Sequence, residues 1–184
     1  VREDVGVQGG EWSGRIHTEA EHKRLECVSY YFIGSIYEGH EANEDVVWVG
    51  TREAGVQMYS RSKNTFRHWE RLFTKEPVGS RNFFGITTDK RGYLWAGTFS
   101  HLYRIDRKTR DIRPYTVAPN TVIETTLEDS YGRFWAGGNS GLYRYDYANE
   151  RFTSFHLPPY DEYNPWVFRI YEDGRRNIWI GTRG

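Results

Sequence analysis

Short β-prone stretches, each followed by a polar turn, recur along the chain from about residue 30 to residue 184. Four of these stretches lead into an acidic turn, at residues 36–39, 86–89, 126–129 and 170–173. An Asp begins a tight turn by bonding its own backbone, and a Gly that follows supplies a positive φ. That Gly is present in three copies, as Gly92, Gly132 and Gly174. Each stretch therefore predicts a β-hairpin that runs into a second strand.

The second strand of each predicted hairpin carries a Trp-x-Gly signature. It reads Trp48-Val49-Gly50-Thr51, Trp95-Ala96-Gly97-Thr98, Trp135-Ala136-Gly137-Gly138 and Trp179-Ile180-Gly181-Thr182. Successive Trp residues are 47, 40 and 44 residues apart. A repeat of this length that contains several short strands is typical of a β-propeller blade.

Two more strands follow the signature in three of the copies. The third strand is predicted at residues 55–60, 101–106 and 141–146, and the fourth at residues 66–69, 112–115 and 152–155. Four short strands make one blade. The sequence therefore predicts an all-β protein, a β-propeller of four-stranded antiparallel blades, with full blades at residues 30–69, 83–115 and 122–155 and a partial blade at residues 166–184.

Residues 1–29 are harder to assign, and they form either an N-terminal partial blade or an irregular segment. Gly6-Val7-Gln8 weakly resembles Gly55-Val56-Gln57, and Arg15-Ile16-His17 has the composition of a fourth strand. Either the two ends pair and close a small propeller, or the blades belong to a longer array. The second arrangement is favoured, because most propellers have more than four blades and a half-blade exposes an unpaired edge.

The repeated residues are expected to serve the scaffold rather than chemistry. The signature Trp residues occupy one position in every blade, so we expect them to pack between neighbouring sheets, where each buries on the order of 200 Å². The signature Gly is expected to allow a close backbone approach or a bulge. The turn residues Asp89, Asp129 and Asp173 are expected to shape their hairpins, because their spacing matches no calcium loop.

Composition narrows the classes of function. Lys plus Arg and Asp plus Glu both number 25, so a net charge of zero argues against nucleic acid as a partner. The 7 Trp, 14 Tyr and 10 Phe residues favour pleated, half-buried surfaces. The single Cys27, six scattered His residues and the absence of phosphate-binding or nucleophile-elbow motifs indicate no metal, no cofactor and no catalytic residues.

One combined motif has a recognisable family character. It begins Ile-x-Glu-Asp-x-x-Gly, continues with any residue, an apolar residue, Trp, a second apolar residue, Gly and Thr, and is followed further on by Gly-Leu-Tyr-Arg-Tyr-Asp. Residues 122–146 and 166–182 carry this motif most fully. It resembles the two-component regulator propeller repeat. That resemblance implies a periplasmic sensor region of an inner-membrane protein, followed in the parent chain by a membrane helix and a histidine kinase. The chain departs from the pattern at His101, at Gly138 and in the first acidic turn.

A binding face is expected where the blades depart from the repeat. The connections from second to third strand and from fourth to first strand open at the same end of a propeller. They carry the predicted ligand-binding residues, which are Arg52, Glu53, Arg81, Asn82, Phe99, His101, Asn139, Tyr160, Trp166 and Arg183. Aromatic rings stack on the apolar faces of sugars and planar polar groups bind hydroxyls, so we expect a small-molecule ligand, an oligosaccharide.

The sequence is compatible with two other functions. Streptogramin lyases are propellers with similar blades, but a lyase of that kind needs a cluster of His, acid and metal, and only His101 is expected on the binding face. A protein-interaction propeller without a small ligand has the same repeat and cannot be separated by it. Oligomeric state is equally open, and a homodimer is compatible with the sequence.

Overall fold

A computed structural model of the chain describes residues 33–41, 44–51, 55–69, 82–158 and 165–183. All regular secondary structure in these residues is β-strand. No helix with the length and apolar character of a membrane span occurs in the described part of the chain. The predictions made for residues 1–29 lie outside the described residues.

The strands form three four-stranded sheets and one two-stranded sheet. Blade 1 contains β1 (Ile33–Glu41), β2 (Glu44–Thr51), β3 (Val56–Ser60) and β4 (Thr65–His68). Blade 2 contains β5 (Ile86–Thr88), β6 (Tyr93–Gly97), β7 (Leu102–Asp106) and β8 (Ile112–Tyr115). Blade 3 contains β9 (Ile123–Glu128), β10 (Phe134–Gly138), β11 (Gly141–Asp146) and β12 (Arg151–Phe155). The half-blade contains β13 (Trp166–Glu172) and β14 (Ile178–Arg183).

Each sheet is an antiparallel meander in which strands that follow one another in sequence are hydrogen-bonded neighbours. The first strands of successive sheets contact one another, so β1, β5, β9 and β13 lie side by side along the inner edge of the array. The described sheets radiate from this edge and do not close into a ring among themselves. This arrangement confirms the predicted all-β propeller fold of four-stranded antiparallel blades.

Two local expectations were wrong. In blade 1 the sequence predicts a longer turn, from Gly39 to Asp45, but this stretch is mostly strand, because Gly39 pairs with Val46 and the ladder continues to Glu41 and Glu44. In the half-blade, the residue with positive φ in the acidic turn is Arg176 rather than Gly174. Arg176 stands three residues after Asp173, the same offset at which Gly92 and Gly132 have positive φ in blades 2 and 3. The offset from the Asp, and not the Gly itself, determines which residue takes this conformation.

The hydrophobic core lies between sheets, as the sequence predicts. Trp95 of blade 2 is fully buried and stacks on Phe134 of blade 3, with ring centroids 4.4 Å apart. Trp48 forms an equivalent cluster with Leu94 and Ile105 of blade 2, and Trp135 forms one with Val167 and Ile170 of the half-blade. Burying about 200 Å² of indole is worth roughly 5 kcal/mol at 25 cal/mol per Å², which makes these residues the main inter-blade contacts.

Trp179 departs from this expectation. It occupies the same signature position in the half-blade, but 62% of its surface is exposed, and its cross-strand neighbour Tyr171 is equally exposed. Each buried signature Trp faces the sheet that follows it in sequence. No described sheet follows the half-blade, so Trp179 has no surface to pack against among the described residues.

The signature Gly residues allow neighbouring sheets to approach closely. A Cβ atom added at Gly97 would lie 2.7 Å from Ile123 Cγ2 in blade 3, and one at Gly137 would lie 2.5 Å from Val167 Cγ1 in the half-blade. A Cβ at Gly50 would similarly meet Ile86 at 2.8 Å. The prediction of a close approach is therefore confirmed, and the nearest atom at each of these three Gly residues is a side-chain carbon on the inner strand of the next sheet.

The acidic turn residues have a structural role, as expected, and each also binds the signature Trp. Asp89 Oδ1 accepts hydrogen bonds from the backbone N–H groups of Arg91 and Tyr93, while its Oδ2 accepts one from Trp95 Nε1 at 2.8 Å. The same three bonds are made by Asp129 and Asp173. Blade 1 lacks this Asp, and the buried Trp48 Nε1 has no hydrogen-bond partner among the described residues.

The residue before each Asp joins its blade to the preceding one. Glu128 Oε2 accepts a hydrogen bond from the backbone N–H of Lys90 in the blade 2 turn, at 2.7 Å. Glu172 accepts hydrogen bonds from the backbone N–H and hydroxyl of Ser130 in the blade 3 turn. In blade 2 the same position is Thr88, whose hydroxyl bonds to Tyr37 of blade 1 at 3.2 Å. The Glu-Asp pair in the repeat therefore links neighbouring blades and shapes its own turn.

Candidate functional site

The predicted binding residues that the structure describes share one end of the blades, which we call the top face. It is formed by the start of the first strand, the end of the second, the start of the third and the end of the fourth in each sheet. Six of the ten predicted residues are described, and they are Asn82, Phe99, His101, Asn139, Trp166 and Arg183. The other four, Arg52, Glu53, Arg81 and Tyr160, lie outside the described residues.

Phe99 is the most prominent aromatic residue of the described top face. It lies in the turn between β6 and β7, it is 44% exposed, and it packs edge-on against Phe84 with ring centroids 4.8 Å apart. The signature Thr98 holds this turn, because its hydroxyl donates to the carbonyl oxygen of His101 at 2.9 Å and accepts from the backbone N–H of His101. Phe99 is therefore an exposed aromatic residue on a turn that is held in place by two hydrogen bonds.

His101 lies beside this aromatic pair. Its Nδ1 is 2.8 Å from the hydroxyl oxygen of Ser100, and its ring centroid is 5.8 Å from that of Tyr103. The arrangement offers a hydroxyl and an imidazole for hydrogen bonds to a ligand. Within the described residues, no three His, Cys, Asp or Glu side chains are grouped so that they could hold a metal ion.

Asn139 is engaged within the protein. Its Oδ1 accepts a hydrogen bond from the backbone N–H of Val122 at 2.8 Å, and its Nδ2 donates to the carbonyl oxygen of Asn120 at 3.3 Å. These bonds connect the turn between β10 and β11 to the segment before β9. A Cβ at Gly138 would lie 1.9 Å from the Val122 carbonyl oxygen, which explains why the signature Thr is replaced there. A ligand that used the Asn139 amide would have to compete with these bonds.

A cluster of hydroxyl groups beside Asn139 was not anticipated from the sequence. The Ser140 hydroxyl oxygen is 2.5 Å from that of Thr121 and 3.0 Å from that of Tyr143. The Tyr143 hydroxyl also donates to the Ser140 carbonyl oxygen. Thr121 and Ser140 come from different connections, 19 residues apart in sequence, and only the fold brings them together. No motif in the sequence indicates this contact.

Trp166 and Arg183 lie opposite each other at the top of the half-blade, where β13 and β14 pair. The Trp166 ring stacks on Phe168 with ring centroids 5.0 Å apart and 16° between their planes. Trp166 Nε1 is buried and has no hydrogen-bond partner among the described residues. The described top face therefore carries two aromatic pairs, one on blade 2 and one on the half-blade.

Comparison with known proteins gives a family match over part of the chain and a similarity of fold. The family model described as two component regulator propeller matches residues 163–184, which include the half-blade. No curated protein sequence matches the chain. The extracellular domain of a putative hybrid two component system from B. thetaiotaomicron is 26% identical, with a TM-score of 0.64, over 82% of this chain and 20% of that protein.

Two further solved structures are similar in fold. A second extracellular domain of a putative hybrid two component system from B. thetaiotaomicron is 23% identical, with a TM-score of 0.65, over 88% of this chain and 23% of that one. Selenomethionine-substituted virginiamycin B lyase from Staphylococcus aureus is 15% identical, with a TM-score of 0.61, over 80% of this chain and 48% of the lyase.

The chain spans only about a fifth of the length of the two sensor domains that it resembles. The lyase similarity is a similarity of fold, because its sequence identity is low. The repeat matched at residues 163–184 recurs structurally in blades 2 and 3, where the turn Asp accepts the same hydrogen bond from the signature Trp as in the half-blade. Residues 163–184 match the two component regulator propeller family model, and the described sheets have the β-propeller fold of the extracellular domains that the chain resembles.

Proposed function

We propose that the chain is part of a ligand-sensing, extracytoplasmic β-propeller of a two-component signalling system. The supporting observation is its similarity, at 26% identity, to the extracellular domain of a putative hybrid two component system. In such a system the propeller binds a signal outside the cytoplasm. A membrane helix and a histidine kinase in the parent chain then carry that signal inward.

The proposed ligand is an oligosaccharide that binds at the top face. The observation that carries this choice is the exposed Phe99 ring, which lies on a braced turn beside the Ser100 hydroxyl and the His101 imidazole. An exposed aromatic ring can stack on the apolar face of a sugar. Neighbouring hydroxyl and imidazole groups can donate and accept hydrogen bonds with sugar hydroxyls, and this combination fixes both the position and the orientation of a ligand.

Calorimetric titration of the protein with a panel of oligosaccharides tests this proposal, with product analysis of the same samples. We expect heat of binding for at least one sugar and no product. Phe99→Ala should then weaken binding by roughly tenfold or more, the value of losing one stacking contact of about 1.5 kcal/mol. Tyr131→Ala is the matched control, because Tyr131 is also exposed but lies in the turn between β9 and β10 at the opposite end.

Each result has a distinct meaning. Binding that Phe99→Ala and Tyr131→Ala weaken equally would place the ligand elsewhere than the Phe99 turn. Formation of product would replace the sensor with a propeller enzyme. Absence of binding across the panel would remove the oligosaccharide from the proposal and favour a protein partner.

A further inference from the structure

Ser100 and Ser140 occupy the same position in the turns that follow the second strands of blades 2 and 3. The Ser100 hydroxyl contacts the imidazole of His101 at 2.8 Å, whereas blade 3 has Gly141 in place of that His. The Ser140 hydroxyl contacts two other hydroxyl groups instead. Both blades therefore present a Ser hydroxyl at the same point of the top face, but its partners differ.

The two turns lie on either side of the start of β9. The backbone N–H of Ile123 donates to the carbonyl oxygen of Thr98 in the blade 2 turn at 2.9 Å. The backbone N–H of Val122 donates to Asn139 Oδ1 in the blade 3 turn at 2.8 Å. Since neighbouring strands are about 4.8 Å apart, two turns that flank one strand are roughly 10 Å apart. Two linked sugar rings can span this distance.

The order of the protons in the blade 3 cluster follows from one proton per hydroxyl group. Tyr143 donates its proton to the Ser140 carbonyl oxygen at 3.0 Å, so the Tyr143 hydroxyl oxygen accepts from Ser140 Oγ. Thr121 Oγ1 then donates to Ser140 Oγ, because these oxygens are 2.5 Å apart and the Pro119 carbonyl oxygen is farther, at 3.4 Å. The three hydroxyl groups form a one-way chain from Thr121 to Tyr143.

Ser140 is the member of this chain that can contact a ligand. Thr121 and Tyr143 are buried, with 1% and 6% of their surface exposed, whereas Ser140 is half-buried. Ser140 Oγ donates its only proton and accepts one hydrogen bond within the cluster, so one lone pair remains. Ser140 can therefore accept a hydrogen bond from a ligand, but it has no proton to donate.

We propose that Ser140 is a specificity-determining residue of the oligosaccharide site, and that it binds the sugar unit next to the one that stacks on Phe99. This inference rests on the proposed sugar site and adds a second subsite to it. Because Ser140 can only accept, the second sugar unit must present a free hydroxyl group there. A carboxylate, sulfate or ether oxygen is an acceptor and would face a lone pair. The ligand is therefore an oligosaccharide of at least two units whose second unit is unmodified at that hydroxyl.

Shortening the sugar separates the two subsites. The probes are maltotriose, cellotriose and mannotriose, each compared with the methyl glycoside of its own monosaccharide, and binding is measured by NMR titration. Phe99→Ala should weaken binding of a trisaccharide and of its methyl glycoside alike. Ser140→Ala should weaken the trisaccharide by about tenfold, the value of one good hydrogen bond, and leave the methyl glycoside unchanged. Ser130→Ala is the matched control, because Ser130 is exposed in the turn between β9 and β10 at the opposite end.

Mono-O-methyl derivatives of whichever of these trisaccharides binds test the direction of the hydrogen bond. We expect one position at which methylation weakens binding to the parent protein by about tenfold or more. Tyr143→Phe releases the proton of Ser140, which can then donate to the ether oxygen. The loss at that one position should shrink severalfold in Tyr143→Phe, while the losses at other positions stay the same. A merely structural role of Tyr143 would not change one position alone.

Thermal denaturation of each variant establishes that it is folded. Equal trisaccharide affinity of Ser140→Ala and the parent protein, with Phe99→Ala weakened, overturns the second subsite and leaves the Phe99 site intact. A loss in Ser140→Ala that is the same for the methyl glycoside overturns its assignment to the second sugar unit. An unchanged methylation pattern in Tyr143→Phe overturns the assigned direction of the chain. Only the absence of binding by every sugar would overturn the proposed sugar site together with this inference.

Discussion

Asp129 Oδ2 accepts a hydrogen bond from the indole Nε1 of Trp135 at 2.9 Å, and this bond connects a hairpin turn to the contact between two sheets. The other carboxylate oxygen holds the turn through the backbone N–H groups of Tyr131 and Arg133. Burial alone would raise the pKa of Asp129, but hydrogen bonds from Trp135 and Arg133 outweigh burial and lower it. The ionised carboxylate is therefore the form that the fold stabilises.

Asp129→Asn should destabilise the protein measurably. If the amide oxygen keeps the backbone bonds of the turn, its NH₂ group must face the Trp135 N–H, and two donors then meet in a buried site. We expect a loss of about 2 kcal/mol in the free energy of unfolding, the usual cost of leaving a buried polar group unpaired. Urea denaturation measures this. Asp146→Asn is the control, because Asp146 lies in an exposed turn where Asn can accept the same backbone bonds; equal losses in the two variants would contradict the role given to the Trp135 bond.

The repeat made these turns predictable, because one Asp at one offset from Trp recurs in three sheets. The repeat did not reveal the hydrogen bond between the turn Asp and the signature Trp. Two residues that are six positions apart in a hairpin can be placed in contact only when the register of its strands is known. Trp48 follows the same logic: its Nε1 has no partner among the described residues, because the sequence of blade 1 has no Asp at the turn position that accepts from the signature Trp elsewhere.

The top face was less predictable. The position of Phe99 on an exposed turn follows from counting strands, but the bonds that occupy Asn139 depend on a segment that precedes it by 17 residues. The contact between Thr121 and Ser140 likewise joins two connections whose relative placement is fixed by packing between strands. The connections between strands have no periodic pattern, so the sequence predicts where each connection begins and ends but not its conformation.

Glu128 should give the protein a pH dependence of unusual sign. Its side chain is only 5% exposed, and burial together with the nearby Asp89 raises the pKa of its carboxyl group, opposed by Lys90 and Arg91. A carboxyl group whose pKa is higher in the folded state favours folding when protonated. Its contribution is therefore fully present below the unfolded pKa of about 4.5 and is lost as the pH rises through the folded value.

Glu128→Gln removes this titration, since Gln resembles the protonated acid. We expect the free energy of unfolding of Glu128→Gln, relative to the parent protein, to increase between pH 4 and pH 7. Glu150→Gln should change in the opposite direction, because hydrogen bonds from Arg113 lower the pKa of Glu150. Urea denaturation at several pH values measures both. Parallel pH profiles for Glu128→Gln and the parent protein would contradict the assignment.

Gly97→Ala should destabilise the protein, whereas Gly181→Ala should not. The added methyl group at Gly97 would lie 2.7 Å from Ile123 Cγ2 and 2.8 Å from the Ile123 carbonyl oxygen, so blades 2 and 3 would have to separate. Overpacking of this kind costs about 1–3 kcal/mol. At Gly181 the nearest atom is Arg169 Cβ at 3.6 Å, which is ordinary contact. Thermal denaturation of both variants tests the comparison, and a similar loss at both positions would show that the glycines act through backbone flexibility instead.

Trp135→Ala and Trp179→Ala change the same position of the repeat in two different surroundings. Trp135 is 5% exposed and packs against Val167 and Ile170, so its truncation should leave a cavity between blade 3 and the half-blade and cost about 3–5 kcal/mol. Trp179 is 62% exposed and has no described sheet to face, so its truncation should cost much less. Urea denaturation with a shared reference protein measures the difference. A large loss for Trp179→Ala would mean that its ring is covered in solution and would contradict the predicted difference between the two positions.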